Sequence, residues 1–237
     1  MYDLASKVCF TIRRFSLLTV SAITPATSEL YTISDKEFVY KLYLKGTKYL
    51  MLISLPFFAF CIIYAPFILK VWLGKEYAYS IEIIRILSIG YCINTLMGMA
   101  ITVAAGIGKP ELEMKYSLIL VPLNVILSVF LLLKIGPIGL GIATSISFII
   151  GSIYFLKLFH NYFNSSIADF LKLIYKPVIA CIIAGLSYFL FMQFKTSNRL
   201  NNFMLLFLAG VTFFGIYMIF VFMFKFIDKK ELIWKKK

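Results

Sequence analysis

Negative charge is scarce in this chain. Only 11 of its 237 residues are Asp or Glu, against 24 Lys and Arg, and there is one histidine. Glu29 and Glu82 fall near the ends of apolar stretches and no carboxylate lies deep within one, so no buried-carboxylate proton relay is present in this stretch. There are no paired carboxylates, no Ser-His-Asp set and no metal-ligand spacing. Catalysis has nothing to stand on, and neither a metal nor a cofactor is expected. Cysteine is sparse too: Cys9, Cys61, Cys92 and Cys181 are scattered without redox-motif spacing and read as small buried apolar groups. A glycine-rich phosphate loop followed by Lys-Ser/Thr is missing, which excludes an ATPase module. Period-two alternation is missing as well, which excludes a β-barrel.

What remains is hydrocarbon. Hydrophobic residues make up 61% of the chain and charged residues 15%, and the mean hydropathy is +0.91. A soluble domain of this length needs a polar skin that the sequence lacks. Seven stretches are each about long enough to cross a ~30 Å hydrocarbon core. They run approximately over 8–29, 49–72, 83–105, 114–134, 138–158, 178–194 and 203–225. The expected fold is an all-α membrane protein with about seven transmembrane helices.

The net charge of +13 is topological. Lys36, Lys41, Lys45 and Lys48 precede the second span, and Lys109 and Lys115 separate the third from the fourth. Lys157, Lys172 and Lys176 precede the sixth, and a tail from Lys225 to Lys237 carries six lysines. The alternate connections hold only Lys70, Lys75, Arg85, Lys134, Lys195 and Arg199. Fifteen cations against six is a positive-inside asymmetry, which sets the C-terminus in the cytoplasm and leaves no reason to invoke nucleic acid. With seven spans, Met1 falls outside, as expected if the chain is the C-terminal half of a larger transporter.

Polar groups inside spans are the candidate site. Arg13 and Arg14 lie about five residues from the outer end of the first span, roughly 8 Å deep at 1.5 Å per residue. At that depth they either snorkel to the interface or face a hydrated cavity, where guanidinium forks suit phosphate oxygens. Adjacent helical residues point about 100° apart, so at most one faces the cavity squarely. Asn94 and Asn124 sit at the middles of the third and fourth spans, as interhelical glue or as a sugar-lined path. Pro122 invites a kink beside Asn124, and Pro25, Pro56 and Pro66 also lie in or near spans. The small residues from Gly136 to Ser147 read as a close helix-packing surface. Ser166 and Asp169 fit a capping box before an amphipathic run, 170–176, expected to lie in the headgroup layer until Pro177 turns the chain into the sixth span.

Several segments occur in a telling order: Tyr2 to Lys7 at a helix end, Pro25 to Leu30 with Asp35, Val71 to Tyr77, Gly106 to Pro110, Asn124 with Leu127-Ser128, and Gly136 to Ser147 with its Gly-x-Gly-x-Ala-Thr pattern. Together they resemble the C-terminal half of the polysaccharide-export, Wzx-type flippases of the MATE-like transporter superfamily. The resemblance covers residues 1–160 in order and the last two spans in hydropathy alone. It implies a partial C-terminal lobe over 1–160, then an interfacial helix, two additional spans and a basic tail over 161–237. The implied activity is transport and not catalysis: flipping an undecaprenyl-diphosphate-linked oligosaccharide across the bacterial cytoplasmic membrane for O-antigen or capsule biosynthesis. Arg13, Arg14, Asn94 and Asn124 would face that substrate. Membrane lipids, a polysaccharide polymerase and glycosyltransferases would be the partners. A multidrug or small-cation extruder of the same fold, or an inactive truncated fragment, is the alternative; an extruder would favour acidic cavity residues.

Overall fold

The computed structural model describes residues 2–21, 36–74, 78–193, 199–224 and 226. Among these there are nine helices and no strand. They are α1 (Tyr2–Ser21), α2 (Lys36–Leu73), α3 (Ala78–Leu96), α4 (Gly98–Gly106), α5 (Glu111–Ile135), α6 (Pro137–Tyr162), α7 (Ile167–Gly185), α8 (Tyr188–Met192) and α9 (Arg199–Met223). Six segments are long and apolar enough to cross a membrane: 36–72, 78–106, 111–135, 137–162, 167–192 and 201–223. The seventh expected span, 8–29, begins as α1, whose stretch is interrupted by Asp3, Lys7, Arg13 and Arg14. Its remainder, with Pro25, lies outside the described residues, as do Asp35, residues 75–77 and the basic tail except Phe226.

The bundle is organised around α2, which packs against α1, α3, α4, α7 and α9. At 38 residues it is about 57 Å long at 1.5 Å per residue, well beyond the hydrocarbon thickness. Its first turns correct the expectation that residues 36–48 form a connection. Val39, Tyr43, Thr47 and Leu50 recur at helical spacing and are fully buried. Lys41, Lys45 and Lys48 take the opposite side, where Lys41 pairs with Glu37 one turn back at 2.7 Å. A window that sums charge cannot see that the charge lies on one face.

Pro56 and Pro66 both lie within α2 and leave Leu52 and Ile62 without the backbone donor four residues on. Neighbouring helices supply the replacements. Tyr217 of α9 donates its hydroxyl to the Leu52 carbonyl at 3.1 Å, and Arg85 of α3 donates Nε to the Ile62 carbonyl at 3.3 Å. Each proline thereby ties α2 to a different partner.

Two further spans depart from the expected form. The third breaks at Met97 into α3 and α4, with Met97 N–H donating to the Asn94 backbone carbonyl at 3.3 Å. The amphipathic run and the sixth span are one helix: α7 is capped by Ser166, whose side chain accepts from Ala168 N–H at 3.1 Å, and Pro177 is buried inside it. A membrane helix tolerates the missing donor, so Pro177 makes no turn. The break comes later, at Leu186 and Ser187, where the buried Ser187 hydroxyl meets Tyr64 Oη at 2.8 Å.

The glycine-rich start of α6 does pack closely. A methyl at Gly90 of α3 would sit 2.6 Å from Ser145 Cα, and Gly151 takes the edge of the Tyr116 ring. Ser145 donates to the Ile86 carbonyl across the same interface at 2.7 Å. Gly136 has φ +71°, and this left-handed position turns α5 back onto α6.

Candidate substrate-facing site

The site begins with the face that α1 turns to the bundle. Ala5, Cys9, Ser16 and Val20 are buried along it. Arg13 falls between Cys9 and Ser16 at the same helical spacing. Arg13 as a residue is half-buried, and its Nε is fully enclosed with no hydrogen-bond partner among the described residues. Arg14, one residue on, is exposed with Phe10 and Leu18 and stacks over the Phe10 ring at 5.8 Å. The pair therefore splits, one cation inward and one outward.

Arg13 is close enough to Tyr91 of α3 and Tyr116 of α5 for its charge to act on both hydroxyls. Tyr116 also accepts from the Asn94 side-chain amide, Nδ2 to Oη 2.5 Å. Asn94 is buried, and its own Oδ1 has no partner among the described residues. Three helices thus bring together a cation with an unmet N–H, two phenols and an unmet amide oxygen. In a low-dielectric bundle such groups are costly to leave open. The set contains hydrogen-bond donors, a positive charge and an acceptor, but no activated nucleophile or metal-ligand cluster. It can bind and orient an anionic, hydroxyl-bearing group.

Asn124 lies elsewhere. It is eight residues beyond Tyr116 on α5, about 12 Å along the axis, and donates Nδ2 to Thr144 Oγ1 of α6 at 3.4 Å. Thr144 donates to the Leu140 carbonyl at 2.9 Å. Its oxygen is then left to accept from Asn124 and from the Tyr2 hydroxyl at 3.1 Å. That knot joins α1, α5 and α6 as interhelical bonds do. Of the four sequence candidates, Asn94 is hydrogen-bonded to Tyr116 and Arg13 reaches the same phenol by its charge alone, while Arg14 and Asn124 lie apart. Tyr91 and Tyr116 were not among the candidates. Tyr91 could have been found three residues before Asn94, on the same helix face.

Helices of this length, apolarity and packing define a polytopic helical membrane protein. The chain belongs to the MatE family, whose pattern matches residues 2–130. It is 25% identical over 218 residues to the uncharacterized membrane protein MJ1068 of Methanocaldococcus jannaschii, covering 92% of this chain and 42% of that protein. It is 24% identical over 218 residues to the Probable low-salt glycan biosynthesis flippase Agl15 of Haloferax volcanii, covering 90% of this chain and 44% of the relative. The chain therefore spans less than half the length of these curated relatives. In fold it is similar to the lipid II flippase MurJ in an inward closed conformation, with a TM-score of 0.72 and 20% identity over 98% of this chain and 47% of the other.

Proposed function

We propose that this chain is one lobe of a membrane transporter that flips a diphosphate-linked oligosaccharide between leaflets, with Arg13 as counter-charge to the phosphates. The carrying observation is the enclosed Arg13 Nε, without a partner among the described residues, in a cation whose charge reaches Tyr91 and Tyr116, with Tyr116 in turn hydrogen-bonded to Asn94. A guanidinium fork suits phosphate oxygens, and phenol and amide groups suit sugar hydroxyls. Membership of the MatE family and the flippase names of two similar proteins support the same reading. Transport needs binding and release without bond-making, so no residue here is assigned a catalytic role. In this reading Arg14 snorkels to the interface and Asn124 is packing glue. Residues 1–160 form most of the lobe and residues 161–237 an appended unit. The C-terminus is cytoplasmic, the membrane is the bacterial cytoplasmic membrane, and the glycan is destined for surface polysaccharide.

The test is transbilayer movement of a fluorescent lipid-linked sugar by a complete transporter carrying this lobe, reconstituted in vesicles. Arg13→Ala should lower the rate at least tenfold, Arg13→Lys should retain part of it, and Arg14→Ala should stay near parental. Parental flipping by Arg13→Ala would end the proposal.

A further inference from the structure

His160, the one histidine of the chain, lies in the last turn of α6 and is 1% exposed. Its Nδ1 faces the Leu156 carbonyl one turn back at 2.9 Å. A carbonyl can only accept, so the neutral ring carries its proton on Nδ1 and leaves Nε2 a bare lone pair. That nitrogen is enclosed and has no hydrogen-bond partner among the described residues. The ring of Tyr43 in α2 lies 5.7 Å away, and its hydroxyl is enclosed and without a partner among the described residues too. Buried polar groups are almost always paired, and each exception calls for a reason.

The surroundings are those of a cation site. Tyr40, Tyr43, Phe159 and Phe170 ring the imidazole at centroid distances between 5.7 and 6.4 Å, each steeply inclined to it. Their quadrupoles therefore surround any charge that the ring takes on. From the first turn of α7, the charge of Asp169 reaches the same ring. That carboxylate is loosely held: Tyr40 Oη lies 3.5 Å from its Oδ2 and Lys172 Nζ lies 3.4 Å from its Oδ1. Both contacts are longer than those of a settled charge-assisted bond. The Asp169 side chain is 40% exposed, so water reaches this corner of the bundle. The other charged groups there among the described residues are lysines. Lys36 of α2 lies over the Tyr162 ring at 4.9 Å, and Lys157 of α6 is exposed three residues before His160.

We infer that His160 Nε2 is a proton-binding site, and that the imidazolium formed takes Asp169 as its counter-charge. The proton comes from water, and the ring goes from neutral to a single positive charge with no bond broken in the protein. Nε2 turns from acceptor into donor, and the Tyr43 oxygen is the open acceptor on the facing helix. The new charge competes with Tyr40 and Lys172 for the Asp169 carboxylate. Drawing Asp169 toward α6 shifts the start of α7 against the start of α2, so a proton is converted into a helix displacement. Arg13 has no part in this site, and either assignment can fail alone.

The experiment is NMR of the full chain in detergent with nitrogen-15-labelled histidine, in which one imidazole gives one set of ring signals. At about pH 8 the proton should sit on Nδ1 alone, and by about pH 5 both nitrogens should carry one. Spin labels are then placed at Phe38→Cys of α2 and Leu171→Cys of α7, both exposed positions, in a chain stripped of its four cysteines. Their separation should change by about 1–2 Å over the same interval, the size of a helix shift at a packed interface. His160→Gln and Asp169→Asn should each hold that separation steady, the first by removing the proton site and the second by removing the counter-charge. A ring that stays neutral down to about pH 5, or that carries its proton on Nε2 at about pH 8, overturns the site. A separation that is constant in the parent, or that shifts equally in Asp169→Asn, overturns the link to α7.

Discussion

The Leu52 carbonyl offers a direct measurement of how α2 is held. Pro56 gives it no backbone donor, and Tyr217, 1% exposed, donates to it across 3.1 Å. Tyr217→Phe removes that donor while keeping the ring, leaving a carbonyl open inside the bundle. Removing one partner of a buried hydrogen bond costs about 1–3 kcal/mol in water-soluble proteins. Bonds between membrane helices average about 0.6 kcal/mol with a maximum near 1.7. Because no helical donor backs it up, the upper part of that membrane range applies, about 1–1.7 kcal/mol. Pro56→Ala restores an N–H four residues from Leu52, so in that background Tyr217→Phe should cost only a few tenths of a kcal/mol. The double-mutant cycle then gives a coupling near 1 kcal/mol, and any change in the α2 bend cancels because it occurs on both arms. Stability would be followed by SDS titration of detergent-solubilised protein, using the fluorescence of its two tryptophans. If the two substitutions add to within about 0.3–0.5 kcal/mol, the hydroxyl is not standing in for the missing amide.

Four further outcomes are expected. Gly90→Ala should destabilise by about 1–3 kcal/mol in the same titration, because its methyl meets Ser145 backbone at 2.6 Å. Gly215→Ala, with nothing within 4 Å, should be neutral or stabilising by up to about 1 kcal/mol. Asn124→Leu should cost about 0.6 kcal/mol and leave transport by a complete transporter at the parental rate, since its single bond to Thr144 is 3.4 Å long; lost transport with stability retained would place Asn124 on the substrate path. In a chain stripped of its four cysteines, an impermeant thiol reagent added outside should label Tyr79→Cys and spare Lys109→Cys. The reverse pattern would invert the orientation.

The helices that were read well are the ones whose boundaries are chemical. The stretches expected over 114–134 and 138–158 are α5 and α6, separated by Gly136 and Pro137, where a left-handed glycine and a proline at the first helical position leave little choice. Contacts also place the ends of the bundle in alternation. Tyr40 at the start of α2 reaches Asp169 at the start of α7 across 3.5 Å, and its ring meets Phe163 just past α6 at 5.7 Å. The first turns of α2 were missed because their lysines and their core residues share one sequence window and differ only in face. Pro177 does not end α7 because a membrane helix tolerates a missing backbone donor, which proline composition alone does not reveal. At the candidate site, depth along the spans singles out Arg13 and Asn94 as candidates, and the 100° rule anticipates that the two arginines point different ways. Neither finds Tyr116 as the common neighbour of Arg13 and Asn94, because that depends on how α1, α3 and α5 meet.

The position of α5 has a consequence for how this protein can change. Only Leu112 and Tyr116 are buried along its 25 residues, and it leans chiefly on α6. Leu118, Val121, Val125, Ile126, Val129 and Phe130 are exposed along it. Such positions require a side chain to be oily but do not specify its shape, so Leu, Ile, Val and Phe can replace one another there at little cost. Opposite them, α6 reads its neighbours atom by atom through Gly139, Ser145 and Gly151. The two arms of one hairpin therefore store very different amounts of information. A bundle built this way can keep its shape while most of its letters drift, as expected of a chain that reaches a TM-score of 0.72 at 20% identity.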